Sequence, residues 1–138
     1  MENDGGVRRQ IKCTLPSLPP SHNRLYVVNH IQRKVYLSDD ARRWKSKMML
    51  LVPRFDIADS SLLRIDYVAY YAWLHHNGKR RKLDASNFMK LLHDTVCAKL
   101  GVDDSRVSEG SFASVDSVGE KVDIVMTEIT EATWRAQQ

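Results

Sequence analysis

Residues 62–73 alternate without a break, with Leu63, Ile65, Tyr67, Ala69, Tyr71 and Trp73 on the odd positions. A period of two puts these side chains on one face of a strand. A strand with one apolar face must bury it against a second layer, so the chain cannot be all helical. Ala41, Trp44, Met48 and Leu51 recur at helical spacing after Ser38, a good N-cap. Asp39 and Asp40 suit the positive end of the helix dipole, and Pro53 stops the helix. A second helix is predicted over 86–100, with Phe88, Leu91, Leu92, Val96 and Leu100 as its buried stripe and Gly101 just past its end. Residues 7–15, 107–115 and 121–129 read as further strands, and 26–29 with 34–37 as a short hairpin. Pro16, Pro19 and Pro20 keep the segment after the first strand out of helix or central strand. The expected fold is α+β, one domain over 7–138 behind a disordered tail of residues 1–6. Its mixed β-sheet carries two helices on one face, in the order β-α-β-α-β-β.

A length of 138 residues suits one domain with one core. The longest apolar run, residues 48–52, is too short to span a bilayer. The polar start does not read as a secretory signal. Cys13 and Cys97 stand alone rather than at CxxC spacing. These features predict a cytoplasmic chain with no membrane partner and neither a zinc site nor a disulfide framework. From residue 103 onward there are eight acidic and three basic residues, a net of −5, which leaves +9 on the first 102. Such asymmetry favours an anionic partner, nucleic acid among them, although a solvated basic face gives the same count.

Candidate chemistry is densest between residues 79 and 107. Lys79, Arg80, Arg81 and Lys82 form a basic loop, and Asp84, Asn87, Lys90 and Asp94 come after it at steps of three, three and four. On a helix and the residue before it, that spacing makes one polar sector. Asp103 and Asp104 come just after the helix. Carboxylates in such positions suit a hard divalent cation. A lysine beside them can stabilise charge at a phosphate, and a basic loop can hold flanking phosphates. Each element also has a structural reading. Asp84 can cap the helix, Lys90 and Asp94 can pair on its surface, Asp103-Asp104-Ser105 can be an Asx turn, and the basic loop can be solvated. His22 and His93 have no partner at ligand spacing, and Trp44 reads as core.

The order of these pieces resembles the RusA-type resolvases of four-way (Holliday) DNA junctions. Pro19-Pro20-Ser21-His22-Asn23-Arg24-Leu25-Tyr26 looks like the family's opening "PPSxNxxY". Tyr36-Leu37-Ser38, Ala41 and Trp44 resemble the family's next segment. Arg80-Arg81, Asp84, Asn87, Lys90, Asp94 and Asp103-Asp104-Ser105-Arg106-Val107 are similar to "DxDNxxKxxxDxL…DDxxV". The resemblance runs from about Leu15 to Val107. It implies a homodimeric endonuclease, dependent on Mg2+ with Mn2+ as a possible substitute, that nicks opposing strands of a junction in recombination and repair. By position it makes Asp84, Lys90 and Asp104 catalytic. Asp84 and Asp104 become metal ligands, with Asp103 and Asp94 as further candidates. Lys79, Arg80, Arg81, Lys82, Asn23, Arg24 and Asn87 are expected on DNA.

One position departs from the pattern. The second aspartate of "DxDN" is Ser86 here, and a neutral hydroxyl is a weak ligand. Either fewer carboxylates hold the metal, or Asp94 or Asp103 moves into its shell, or catalysis is weak or lost and the chain is a non-catalytic DNA-binding module of the same fold.

Overall fold

The computed structural model describes residues 9–20, 26–81 and 85–138, without the side chains of 26–29 and 85–88. The expected tail and the start of the first strand lie outside the described residues. Strands β1 (Gln10–Leu15), β4 (Leu62–Tyr71), β5 (Val107–Asp116) and β6 (Lys121–Ile129) form one mixed sheet in the order β1-β6-β4-β5. Only β4 and β5 pair in parallel. They are joined by helix α2 (Ala85–Leu100), since a parallel pair needs a crossover. Helix α1 (Asp39–Leu51) precedes β4. β2 (Tyr26–Asn29) and β3 (Lys34–Leu37) form a separate hairpin.

The alternation of β4 sets the layers. Leu63, Ile65, Tyr67 and Ala69 are buried beside Val122, Ile124 and Met126 of β6. Ala41, Trp44 and Met48 of α1 and Leu91, Leu92 and Val96 of α2 join the same core. Both helices therefore cover one sheet face, as the sequence predicts. Their ends are chemically defined. The Ser38 side chain accepts from the Ala41 N–H at 3.1 Å. At the end of α2, Gly101 adopts φ +66°, the Val102 N–H reaches the Cys97 carbonyl and the Gly101 N–H reaches that of Ala98. Those two bonds make a Schellman cap, whose left-handed position favours glycine. Trp44 is core, with its Nε1–H donated to Ser17 Oγ at 3.2 Å.

Two features depart from expectation. β4 stops at Tyr71, and Trp73 is 44% exposed rather than on the buried face. The Asp116 carboxylate accepts the Trp73 N–H at 3.0 Å, and Ser117 N–H donates to the Tyr71 carbonyl, so the ladder closes two residues early. A short third helix, α3 (Glu131–Ala136), comes after β6.

The opposite sheet face carries polar links, among them Arg64–Asp66 and Ser111–Asp66. Glu128, in β6, is buried. Its carboxylate accepts from Ser61 Oγ (2.6 Å), the Ala58 N–H (2.9 Å) and Arg9 Nη1 (3.2 Å). Burial pushes this carboxyl up, but those hydrogen bonds and the Arg9 charge outweigh it and hold the group below the usual glutamate range. A carboxyl depressed in the folded state stabilises fully above its unfolded pKa, and the contribution fades as pH falls through the folded value. Glu128→Gln should therefore cost about 1–3 kcal/mol at pH 7. Urea melts should show the gap to wild type narrowing as pH falls below about 4. A gap independent of pH would mean that the carboxylate charge is not what holds the 58–61 segment.

Candidate functional site

The β4–α2–β5 crossover has two chemically distinct ends. Beyond the carboxyl end of β4, residues 73–81 form a hairpin rather than an open loop. The Arg81 N–H donates to the Trp73 carbonyl at 2.8 Å, Leu74 bridges Arg80, and the His75 N–H donates to the Lys79 carbonyl at 2.7 Å. Asn77 Oδ1 accepts the Lys79 N–H and Gly78 takes φ +82°. The Asn77-Gly78 pair is a hairpin signal that the basic composition of this segment masks.

The predicted phosphate-binding side chains separate here. Arg81 is a strut: Nη1 donates to the Ala72 carbonyl, Nη2 lies 3.9 Å from Glu120, and the guanidinium sits over the Tyr71 ring at 5.7 Å. Lys79 and Arg80 are exposed, and their side chains have no partner among the described residues. Lys82, Asp84, Asn23 and Arg24 lie outside the described residues, as do the side chains of Ser86 and Asn87.

The other end is acidic. Asp103 caps a 3-10 turn (Asp104–Arg106), accepting the Ser105 N–H at 2.8 Å. The hydrogen bonds from Ser105, backbone first, and the link to the Asp104 carboxyl hold Asp103 below the usual aspartate range. Arg106 anchors the turn, with Nη2 donating to the carbonyls of Ala58 (2.7 Å) and Ser61 (2.8 Å). Those are the residues that Glu128 grips from the other side. Asp104 is thus an exposed carboxylate on a fixed support.

Asp94 is exposed on α2. Burial, then the charges of Asp104, Asp94 and Asp103, push the Cys97 thiol up to about 11. A thiol so protonated is a poor nucleophile. Lys90 is exposed one turn before Asp94. His93, expected to have no partner at ligand spacing, has two side-chain partners. Tyr67 Oη lies 3.0 Å from Nδ1, and Cys97 Sγ lies 3.7 Å from Nε2. Cys97 at i+4 was the legible part, while Tyr67 comes from another element. His93, Tyr67 and Met89 also line a groove of about 350 Å³ against β5.

The structure thus puts the Asp103–Asp104 pair at the far end of α2 from the hairpin that carries Lys79 to Arg81, with Asp94 on the helix between them. The 16 residues of α2 rise about 24 Å. Three oxygen-donor carboxylates suit magnesium chemically. Among the described residues, however, no three His, Cys, Asp or Glu side chains are arranged to hold a metal ion. Also among the described residues, no helix is long and apolar enough to cross a membrane. Cys13 and Cys97 are free thiols. No protein-family model and no curated protein matches the chain.

Proposed function

We propose that the chain is a divalent-metal-dependent endodeoxyribonuclease that nicks four-way DNA junctions as a homodimer in the cytoplasm. The observation that carries this reading is the β4–α2–β5 crossover, in which one helix separates a cationic hairpin from the anchored carboxylate pair Asp103 and Asp104. These are the parts that the RusA-like motif order implies. Exposed Lys79 and Arg80 supply sequence-independent attraction for phosphates. Asp104, with Asp94 or Asp103, would hold the cation, and Lys90 would balance charge at the phosphate. Magnesium, or manganese in its place, supplies charge neutralisation at phosphate and a more acidic bound water. Asp84, the other metal ligand that the motif order implies, lies outside the described residues. A two-fold dimer matches the two-fold symmetry of a junction.

A second reading is a DNA-binding module without hydrolysis. Ser86 in the motif and the lack of a three-ligand group among the described residues favour it. The deciding experiment incubates the chain with a synthetic four-way junction and with linear duplex, with and without magnesium. Paired nicks in the junction that require magnesium support the enzyme. Junction binding without nicks supports the module, and equal or absent binding to both DNAs removes both readings.

A further inference from the structure

Where the parallel strands β4 and β5 end, Tyr71, Trp73, Leu74, Arg80, Arg81 and Ser114 line a cleft of about 420 Å³. That volume falls within the roughly 300–1,000 Å³ of small-ligand sites. Ligands also favour the carboxyl ends of parallel strands. The cleft is built rather than incidental. The backbone of Trp73 is held on both sides, by the Asp116 carboxylate on its N–H and the Arg81 N–H on its carbonyl. Arg81 is fixed against Tyr71 and Ala72. Yet Trp73 remains 44% and Leu74 56% exposed, so a preset apolar wall faces solvent beside the exposed guanidinium of Arg80.

We infer that this cleft receives one unpaired nucleobase of a nucleic-acid strand, stacked on Trp73, with Arg80 on the adjoining phosphate. An indole plane suits any base, and base–aromatic stacking is tolerant of sequence. Residues 72–81 contain Lys79, Arg80 and Arg81 and no acidic residue; the nearby Asp116 accepts the Trp73 N–H and Glu120 lies beside Arg81, so Arg80 is the exposed cation that lines the cleft. A paired and stacked base cannot present its face to Trp73, so the cleft selects strand positions that are open. This inference rests on the reading of the chain as a nucleic-acid binder but not on catalysis.

The test measures binding of the full chain in EDTA to a fluorescent ten-nucleotide oligo-dT, to a fully paired duplex, and to thymidine monophosphate. Trp73→Ala should weaken oligo-dT binding by about fivefold or more and change duplex binding less than twofold. Trp73→Phe should restore most of the affinity. Arg80→Ala should weaken both DNAs and flatten the slope of log affinity against log salt by about 0.7 on the single strand and 0.9 on the duplex. Oligo-dT should also quench tryptophan emission in the wild type and not in Trp73→Phe, which keeps Trp44 and Trp134 and so reads the cleft even if the alanine variant folds poorly. Tight binding of the monophosphate alone would make this a free-nucleotide site and overturn the strand proposal. Equal losses on single strand and duplex for Trp73→Ala, or unchanged quenching in Trp73→Phe, would overturn the stacking role. A wild type that binds neither DNA overturns the nucleic-acid reading itself.

Discussion

Asp104→Asn should lower magnesium-dependent junction nicking by roughly a hundredfold or more while junction binding stays at or above the wild-type level. The reason lies in how the acidic turn is built. Asp103, not Asp104, caps the turn through the Ser105 N–H, and Arg106 fastens it to the Ala58 and Ser61 carbonyls. Asparagine at residue 104 keeps shape and polarity, so the fold should not change and the missing group is a charge. Removing that charge weakens a hard cation's hold but reduces repulsion of DNA phosphate. Asp103→Asn is the informative neighbour. Asparagine also caps, so the turn should survive, and any loss of nicking would assign Asp103 to the cation as well. The measurement is single-turnover nicking of a labelled junction beside an equilibrium binding curve. Wild-type nicking by Asp104→Asn would sink its assignment as the essential carboxylate. Lost binding would show that residue 104 serves structure instead.

The parts of the molecule that were legible are those where a local pattern meets a single physical demand. The alternation in β4 and the apolar stripes of α1 and α2 each name a buried face, and the structure buries them together. Ser38 and Gly101 mark helix ends because capping is a local event. What escaped the sequence depends on partners far along the chain. Trp73 fits the alternation, yet Asp116 takes its N–H and ends the strand first. Tyr67 meets His93 across 26 residues, and Arg106 meets Ala58 across 48. The same limit applies to the candidate site. Asp103 and Asp104 stand together because α2 ends just before the turn that carries the pair, while Asp94 is on the helix itself. A helix of this length also means that spacing in sequence between a motif's first and last carboxylates is no guide to a shared ion. The hairpin at residues 73–81 was readable in Asn77-Gly78, but its positive charge made a loop the simpler expectation.

Gly110→Ala should cost about 3 kcal/mol of stability, at or above the upper range for overpacking, although it adds only a methyl group to an exposed residue of an edge strand. Gly110 pairs with Ile65 in the parallel β4–β5 ladder. A Cβ at Gly110 would overlap the Ile65 carbonyl oxygen, a backbone atom in the middle of β4 that cannot swing aside as a flexible side chain would. Alanine also restricts the unfolded chain, which favours folding by only about 0.4–1 kcal/mol where the native backbone tolerates it, so the clash decides the sign. The pairing is already irregular one step earlier, where the register shifts between Leu63 and Arg64 and leaves Ser108 without a counterpart. The strain should therefore be relieved by lifting the first half of β5 from the sheet. That half begins directly after the Asp104–Arg106 turn, so the displacement reaches the carboxylates. Urea melts should show the lower midpoint, with Ala113→Val, on the exposed side of the same strand, close to wild type. Where Gly110→Ala remains folded, nicking should fall further than junction binding, because the hairpin proposed to meet DNA lies at the opposite end of α2. A variant with the wild-type midpoint would show that β5 does not approach β4 as closely as the pairing at Ile65 requires.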